Sequence, residues 1–290
     1  MKISMNATCL GCHFRRNLEI AQALGSEQQA LAFAKDLMRL YLSAPEGISS
    51  PWFGPGVSDL FQKHYGLSED RYAQEKQDSN RFFLDHQAAI EARVNAQADP
   101  VLAGLQFSIL GNYLDFSALK GQVSFEKLEE MLSSALEMEL DRACYNQLCA
   151  DLEKGSKLLF LTDNAGEIGF DKLFAQAIAK RYPHLAITFC VRGAPALNDA
   201  TREDAATVGV PFPVIDNGNR VPGTDLQQLG EQARQALQQS DVIIAKGMAN
   251  VETMLGCDYN VYYAFLIKCK MFADTFGKPL MSPMLLRQHQ

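Results

Sequence analysis

At 290 residues with 47% hydrophobic content, the chain carries enough apolar surface for one large core or two lobes, which excludes a disordered chain. Its formal net charge of −7 comes without basic stripes interleaved with aromatics, so no nucleic-acid surface is expected. No stretch approaches the roughly 20 apolar residues of a membrane span, and the first residues lack the apolar core of a secretory signal, so a cytoplasmic protein with no membrane contact is expected.

In chain order, the first feature is Cys9-Leu10-Gly11-Cys12-His13. A structural zinc site would need a second ligand pair, and a thioredoxin-like role would need a preceding strand. Neither is visible, and packing at a helix start is the plainer reading. The seven cysteines are odd in number and widely spread, so reduced thiols are expected, with Cys190 a small buried hydrophobe. From Asn17 to Leu152 apolar residues recur at three- and four-residue steps, the helical period. Proline, glycine and serine crowd 43–56, which reads as a loop. Helices are predicted over 57–65, 71–96, 100–113 and 125–151. The run from Asp70 to Asn80 reads as a solvated helix with a capping aspartate, and Gly111 to Phe116 as a helix end followed by a turn.

At Gly155 the pattern changes to alternating strand and helix: strands over 158–162, 186–191, 213–215, 242–245 and 262–267, helices over 170–181, 199–208, 224–239 and 250–255. Such alternation predicts an α/β fold with a mostly parallel sheet, joined to an N-terminal helical domain, with 1–153 helical and 154–290 α/β.

Buried parallel strands read as short apolar runs, and ligands bind at their carboxyl ends. Three of these ends carry polar clusters: Asp163-Asn164-Ala165-Gly166-Glu167, Arg192 through Asn198-Asp199, and Lys246-Gly247-Met248-Ala249-Asn250. Asp163, Asn164 and Asp199 are hard oxygen donors with no nearby histidine or cysteine, which suits Mg²⁺ or Mn²⁺. Gly166 and the following helix start would approach an anion, Lys246 would add a point charge for phosphate, and Arg192 would bind phosphate or clamp two loops. Each cluster alone is also an ordinary turn and helix cap; three on one sheet edge are harder to dismiss. Lys268, after the last strand, falls on the same edge but reads as a solvated terminus.

Asp163-Asn164-Ala165-Gly166-Glu167-Ile168 with Phe170-Asp171, Arg192-Gly193-x-Pro195 with Asn198-Asp199-Ala200-Thr201, and Lys246-Gly247-x-Ala249-Asn250-x-Glu252 together resemble the metal-dependent damage-control phosphatase family. This family was long known only as a domain of unknown function, and it includes acidic-residue methyltransferase-like proteins. Tyr72, Lys76, Asn80, the Gly111-Asn112-x-x-Asp115-Phe116 segment and Cys9-x-x-Cys12 are similar to its prokaryotic branch. The resemblance implies an α/β/α sandwich beside the helical domain. It implies Mg²⁺, Mn²⁺, Co²⁺ or Ni²⁺ on Asp163, Asn164 and Asp199, which would also be the catalytic residues. Gly166, Glu167, Arg192, Asn198, Lys246 and Asn250 would bind substrate or phosphate, with Lys246 matching the phosphate-binding lysine. The reaction implied is hydrolysis of phosphate monoesters of small metabolites, such as sugar phosphates or damaged phospho-metabolites. Where the branch carries a lysine, a small residue, a lysine and a cysteine near the last strand, this chain reads Lys268-Cys269-Lys270-Met271.

Asp163 would either bind the metal and orient a water or attack to form an aspartyl-phosphate, two routes the sequence leaves open. The alternatives are a protein carboxyl methyltransferase using S-adenosylmethionine and a non-catalytic phosphometabolite sensor. Against the first, the loop after the first strand has one glycine among acidic groups. Specificity would come from the helical part, including Trp52, Phe53 and Asn112.

Overall fold

The computed structural model describes residues 2–68, 70–113 and 125–288, with backbone alone for 113, 125–129 and 131. Asp115 and Phe116 of the expected turn lie outside the described residues. Helices α1 (Ala7–Leu24), α2 (Glu27–Leu42), α3 (Gly54–Tyr65), α4 (Ala73–Asn95), α5 (Pro100–Tyr113), α6 (Phe125–Leu136) and α7 (Arg142–Lys154) come first. A 3₁₀ turn, Ser50–Phe53, ends the predicted loop. The single long helix expected over 125–151 is two. Asp141 interrupts it by accepting from Cys144 N at 3.0 Å, a side-chain cap that starts α7.

The second half alternates as expected: β1 (Lys157–Leu161), α8 (Glu167–Arg181), β2 (Ala186–Val191), α9 (Arg202–Thr207), β3 (Val214–Asp216), α10 (Glu231–Gln239), β4 (Val242–Lys246), α11 (Gly247–Met254) and β5 (Val261–Leu266). Two helices begin later than predicted. Before α9, Ala200 and Arg192 pair through their backbones (Arg192 N to Ala200 O, 2.9 Å); before α10, a turn in which Gln228 N donates to Asp225 O (3.0 Å) replaces the expected first turns. Two elements were not anticipated, α12 (Lys270–Phe276) and β6 (Pro283–Arg287), the latter an antiparallel edge strand on β5.

The sheet order is β3-β2-β1-β4-β5-β6, with β1 to β5 parallel. From β1 the chain winds outward first through β2 and β3, then back across β1 to β4 and β5, so the order reverses between β1 and β4. That reversal opens a crevice at the carboxyl ends of these two strands, where doubly wound sheets bind ligands.

Strand alternation divides the core into two layers. Leu158, Phe160, Val242, Ile244, Tyr262 and Ala264 face the cluster built with α4 to α9, while Leu159, Leu161, Ile243, Ala245, Tyr263 and Phe265 face α10 to α12. Helices from α4 onward thus share their core with the sheet. Helices α1 to α3 have their own, formed by Ala21, Phe33, Leu37, Phe53, Val57 and Phe61.

Candidate active site at the sheet switch point

The loops after β1 and β2 are stitched together by backbone bonds. Ala165 N donates to Asn198 O (2.9 Å) and Ala200 N to Asp163 O (2.7 Å), forming a short antiparallel bridge between Asn164 and Asp199. This bridge brings Asp163, Asn164 and Asp199, from two loops, to one place. The third expected loop closes over them from β4. Gly247, at φ +74°, presses its backbone so near Asp163 that a Cβ there would lie 1.9 Å from Oδ2. Only glycine fits both the left-handed backbone and the contact.

Asp163 Oδ2 accepts from the amides of Asn112 (2.8 Å) and Asn164 (2.9 Å). Burial, with Glu167 and Asp199 nearby, pushes its carboxyl well above the usual carboxylate range. Asp199 Oδ2 takes Arg192 Nε at 2.6 Å and Gly223 N at 3.4 Å. Its carboxyl is raised by burial, with the guanidinium acting against the rise. Arg192 also donates from Nη2 to Thr162 O (3.0 Å), and its buried Nη1 has no partner among the described residues. Of its two expected roles the guanidinium takes the clamp, tying the β1 end to the β2 loop.

Lys246 is fully enclosed. Its ammonium donates to Ser108 O (2.9 Å), Glu167 Oε1 (2.8 Å) and Asp171 Oδ1 (2.7 Å). Glu167 Oε2 in turn accepts from Asn112 (2.8 Å) and Asn164 (2.9 Å). Burial opposes ionisation of Glu167, but Lys246 outweighs it and holds the carboxyl below its ordinary range. The direct phosphate contacts expected of several residues are therefore not on offer in this arrangement. All three Lys246 donors are taken; Gly166 N donates to Asn80 Oδ1 (2.8 Å); the Asn250 amide binds Thr162 O (3.1 Å) and Lys246 O (2.7 Å); and Asn198 reaches Glu75 (3.3 Å). These residues hold the loops in place. Trp52 and Phe53 belong to the separate α1–α3 core.

Two residues of α5 complete the cluster: Asn112, expected to shape specificity, and Ser108, which was not expected. Ser108 donates to Asp171 Oδ1 (2.6 Å), and Asn112, one turn on, bridges Asp163 and Glu167. Their signal was present as two polar residues four apart in a mostly apolar helix, a spacing that puts both on one face. Lys268 is exposed, and its charge acts favourably on the carboxylates of Asp163 and Glu167. Among the described residues, no three His, Cys, Asp or Glu side chains are grouped for metal binding, so a cation here would need Asn164 as third ligand beside Asp163 and Asp199. All seven cysteines are free thiols.

A family model for the damage-control phosphatase ARMT1-like domain matches residues 5–283. The chain belongs to this family. A damage-control phosphatase of Archaeoglobus fulgidus is 32% identical to it over 213 residues, covering 72% of this chain and 73% of that one. An uncharacterised protein of Methanocaldococcus jannaschii is 29% identical over 299 residues, covering 99% and 96%. The crystal structure of a DUF89 family protein from Pyrococcus horikoshii superposes with a TM-score of 0.80, covering 99% of this chain and 100% of that one at 22% identity, and it shares the fold. No helix among the described residues is long and apolar enough to cross a membrane.

Proposed function

We propose that this ARMT1-like protein is a divalent-metal-dependent phosphatase that hydrolyses phosphate monoesters of small metabolites at the β1/β4 crevice. The observation that carries this reading is a charge imbalance. Among the described residues of the crevice, four buried acids, Asp163, Glu167, Asp171 and Asp199, face two buried cations, Lys246 and Arg192. Buried charge left unpaired is costly, and burial with neighbouring carboxylates raises the carboxyls of Asp163, Asp171 and Asp199 above their ordinary range. One divalent ion would offset that excess of two.

The donor set fits a hard ion. Asp163 and Asp199 supply carboxylate oxygens and Asn164 a carboxamide oxygen, with Mg²⁺, Mn²⁺, Co²⁺ or Ni²⁺ as candidates. When bound, such an ion would neutralise phosphoryl oxygens and lower the pKa of a water. The protein's own groups do the positioning. Asn112 and Glu167 hold Asp163 and Asn164 in place, the Arg192 guanidinium fixes Asp199, and the N-terminus of α11 with Lys268 at the rim provides a positive field for a phosphate. The names of the Archaeoglobus relative and of the matching family support a phosphatase. The loop after β1 counts against a nucleotide-type cofactor such as S-adenosylmethionine, since its single glycine already gives its N–H to Asn80.

The test is phosphate release from a panel of sugar phosphates and an aryl phosphate, in EDTA and then with each metal. Release that needs the metal and disappears in a folded Asp163→Ala variant is expected. Release that EDTA and the variant leave intact would refute the reading.

A further inference from the structure

Lys246 sits beside the crevice yet shows it no free donor. An ammonium has three hydrogens, and here they go to Ser108 O, Glu167 Oε1 and Asp171 Oδ1. A phosphoryl oxygen can take a hydrogen bond from Lys246 only where one of these acceptors lets go.

The acceptors differ in how well they would stand alone. Glu167 keeps two carboxamide donors, Asn112 and Asn164, on its other oxygen. Among the described residues, Asp171 keeps only the Ser108 hydroxyl on Oδ1, and its buried Oδ2 has no partner. A buried carboxylate oxygen without a donor is the position where an added proton relieves most. Among the described residues, the charged groups facing Asp171 are Lys246 from β4 and Glu167 from its own helix, while α5 offers the Ser108 hydroxyl. Burial drives the Asp171 carboxyl up and Lys246 pulls it back, leaving it at about 7.

We propose that Asp171 is a positioning residue that gates Lys246, releasing the ammonium toward a bound phosphoryl group by taking up a proton from solvent on its unpartnered oxygen. This rests on the phosphatase reading of the same crevice. Ionised Asp171 holds Lys246 down; neutral Asp171 lets it turn. Anion binding and protonation of Asp171 are then linked, and each strengthens the other.

The experiment is calorimetric titration of the Mg²⁺-loaded protein with sulfate, a tetrahedral dianion that does not titrate near neutrality, from about pH 6 to about pH 8. Wild-type affinity should fall with rising pH, approaching about tenfold per pH unit above neutrality, the limit for one linked proton. Asp171→Asn, which is neutral at every pH, should bind at the wild-type low-pH level with no such slope. Ser108→Ala removes a bond to the ionised carboxylate, so its midpoint should move to higher pH; this arm decides the matter where the Asp171→Asn protein does not fold. An Asp171→Asn slope equal to wild type, a Ser108→Ala midpoint that does not move, or wild-type binding without a slope would overturn the gate and leave the phosphatase reading standing. A folded wild type that binds no sulfate would overturn both.

Discussion

Asp163 is held from three directions: by the Asn112 and Asn164 amides on Oδ2, by its own carbonyl in the bridge to Ala200, and by the Gly247 backbone above it. Gly247→Ala should displace the carboxylate and strain a left-handed backbone, and because a misplacement of about 1 Å can cost on the order of a hundredfold, turnover should fall by about that factor. Steady-state assay of the folded variant checks it; activity within a few-fold of wild type would show that the contact is not needed. Lys246→Met should destabilise the fold by about 3 kcal/mol, the low end for breaking a buried ion pair, because Asp171 can take a proton when its partner goes. Urea denaturation at neutral pH measures it, and the loss should shrink as pH falls through about 7, where Asp171 becomes neutral in the native protein as well. Residue types at the site were legible from an apolar run ending on acids and amides. Side-chain direction follows from strand parity: Lys246 shares its strand face with Val242 and Ile244, the face that α5 and α8 cover. Which layer covers that face depends on helix placement, which periodicity alone does not give.

At the scale of elements, α5 carries the helical contribution to the site, and its approach to α8 depends on small residues. A Cβ at Gly104 would lie 2.9 Å from the Phe174 Cα, closer than side chains pack. Ser108, four residues on, and Asn112, eight on, lie one and two turns further along the same face, so the closeness at Gly104 sets how far their side chains reach into the cluster. Gly104→Val should push the helices apart, cost about 1–3 kcal/mol from overpacking, and weaken activity by withdrawing Asn112. A variant as stable and as active as wild type would show that α5 can shift without consequence. The helix at 100–113 was predicted to the residue from apolar residues recurring at the helical period. Its partner was not, because a helix that is hydrophobic all round has no face from which to read its neighbour. The edge strand β6 escaped notice for a related reason. Its five residues, Pro283–Arg287, are too few for alternation to register, and pairing with β5 alone makes them a strand.

Across the whole molecule, the function depends on sheet order more than on any single motif. Five strands were legible as apolar runs within a residue or two of their ends. Their order was not, because in parallel sheets strand neighbours are chosen by crossover packing, which leaves no periodic trace. Placing β4 against β1 puts Lys246 and Gly247 beside Asp163, and the bridge between Asn164 and Asp199 adds the β2 loop. The result, among the described residues, is a crevice with two more buried acids than buried cations, a deficit that one divalent cation would fill. Calorimetric titration of Mn²⁺ into EDTA-treated protein at neutral pH tests it most directly. The account predicts one ion bound per chain, with protons released as the raised carboxyls ionise, and no binding in a folded Asp163→Ala variant. A folded wild type that binds no Mn²⁺, or an Asp163→Ala protein that binds it as tightly as wild type, would contradict the account.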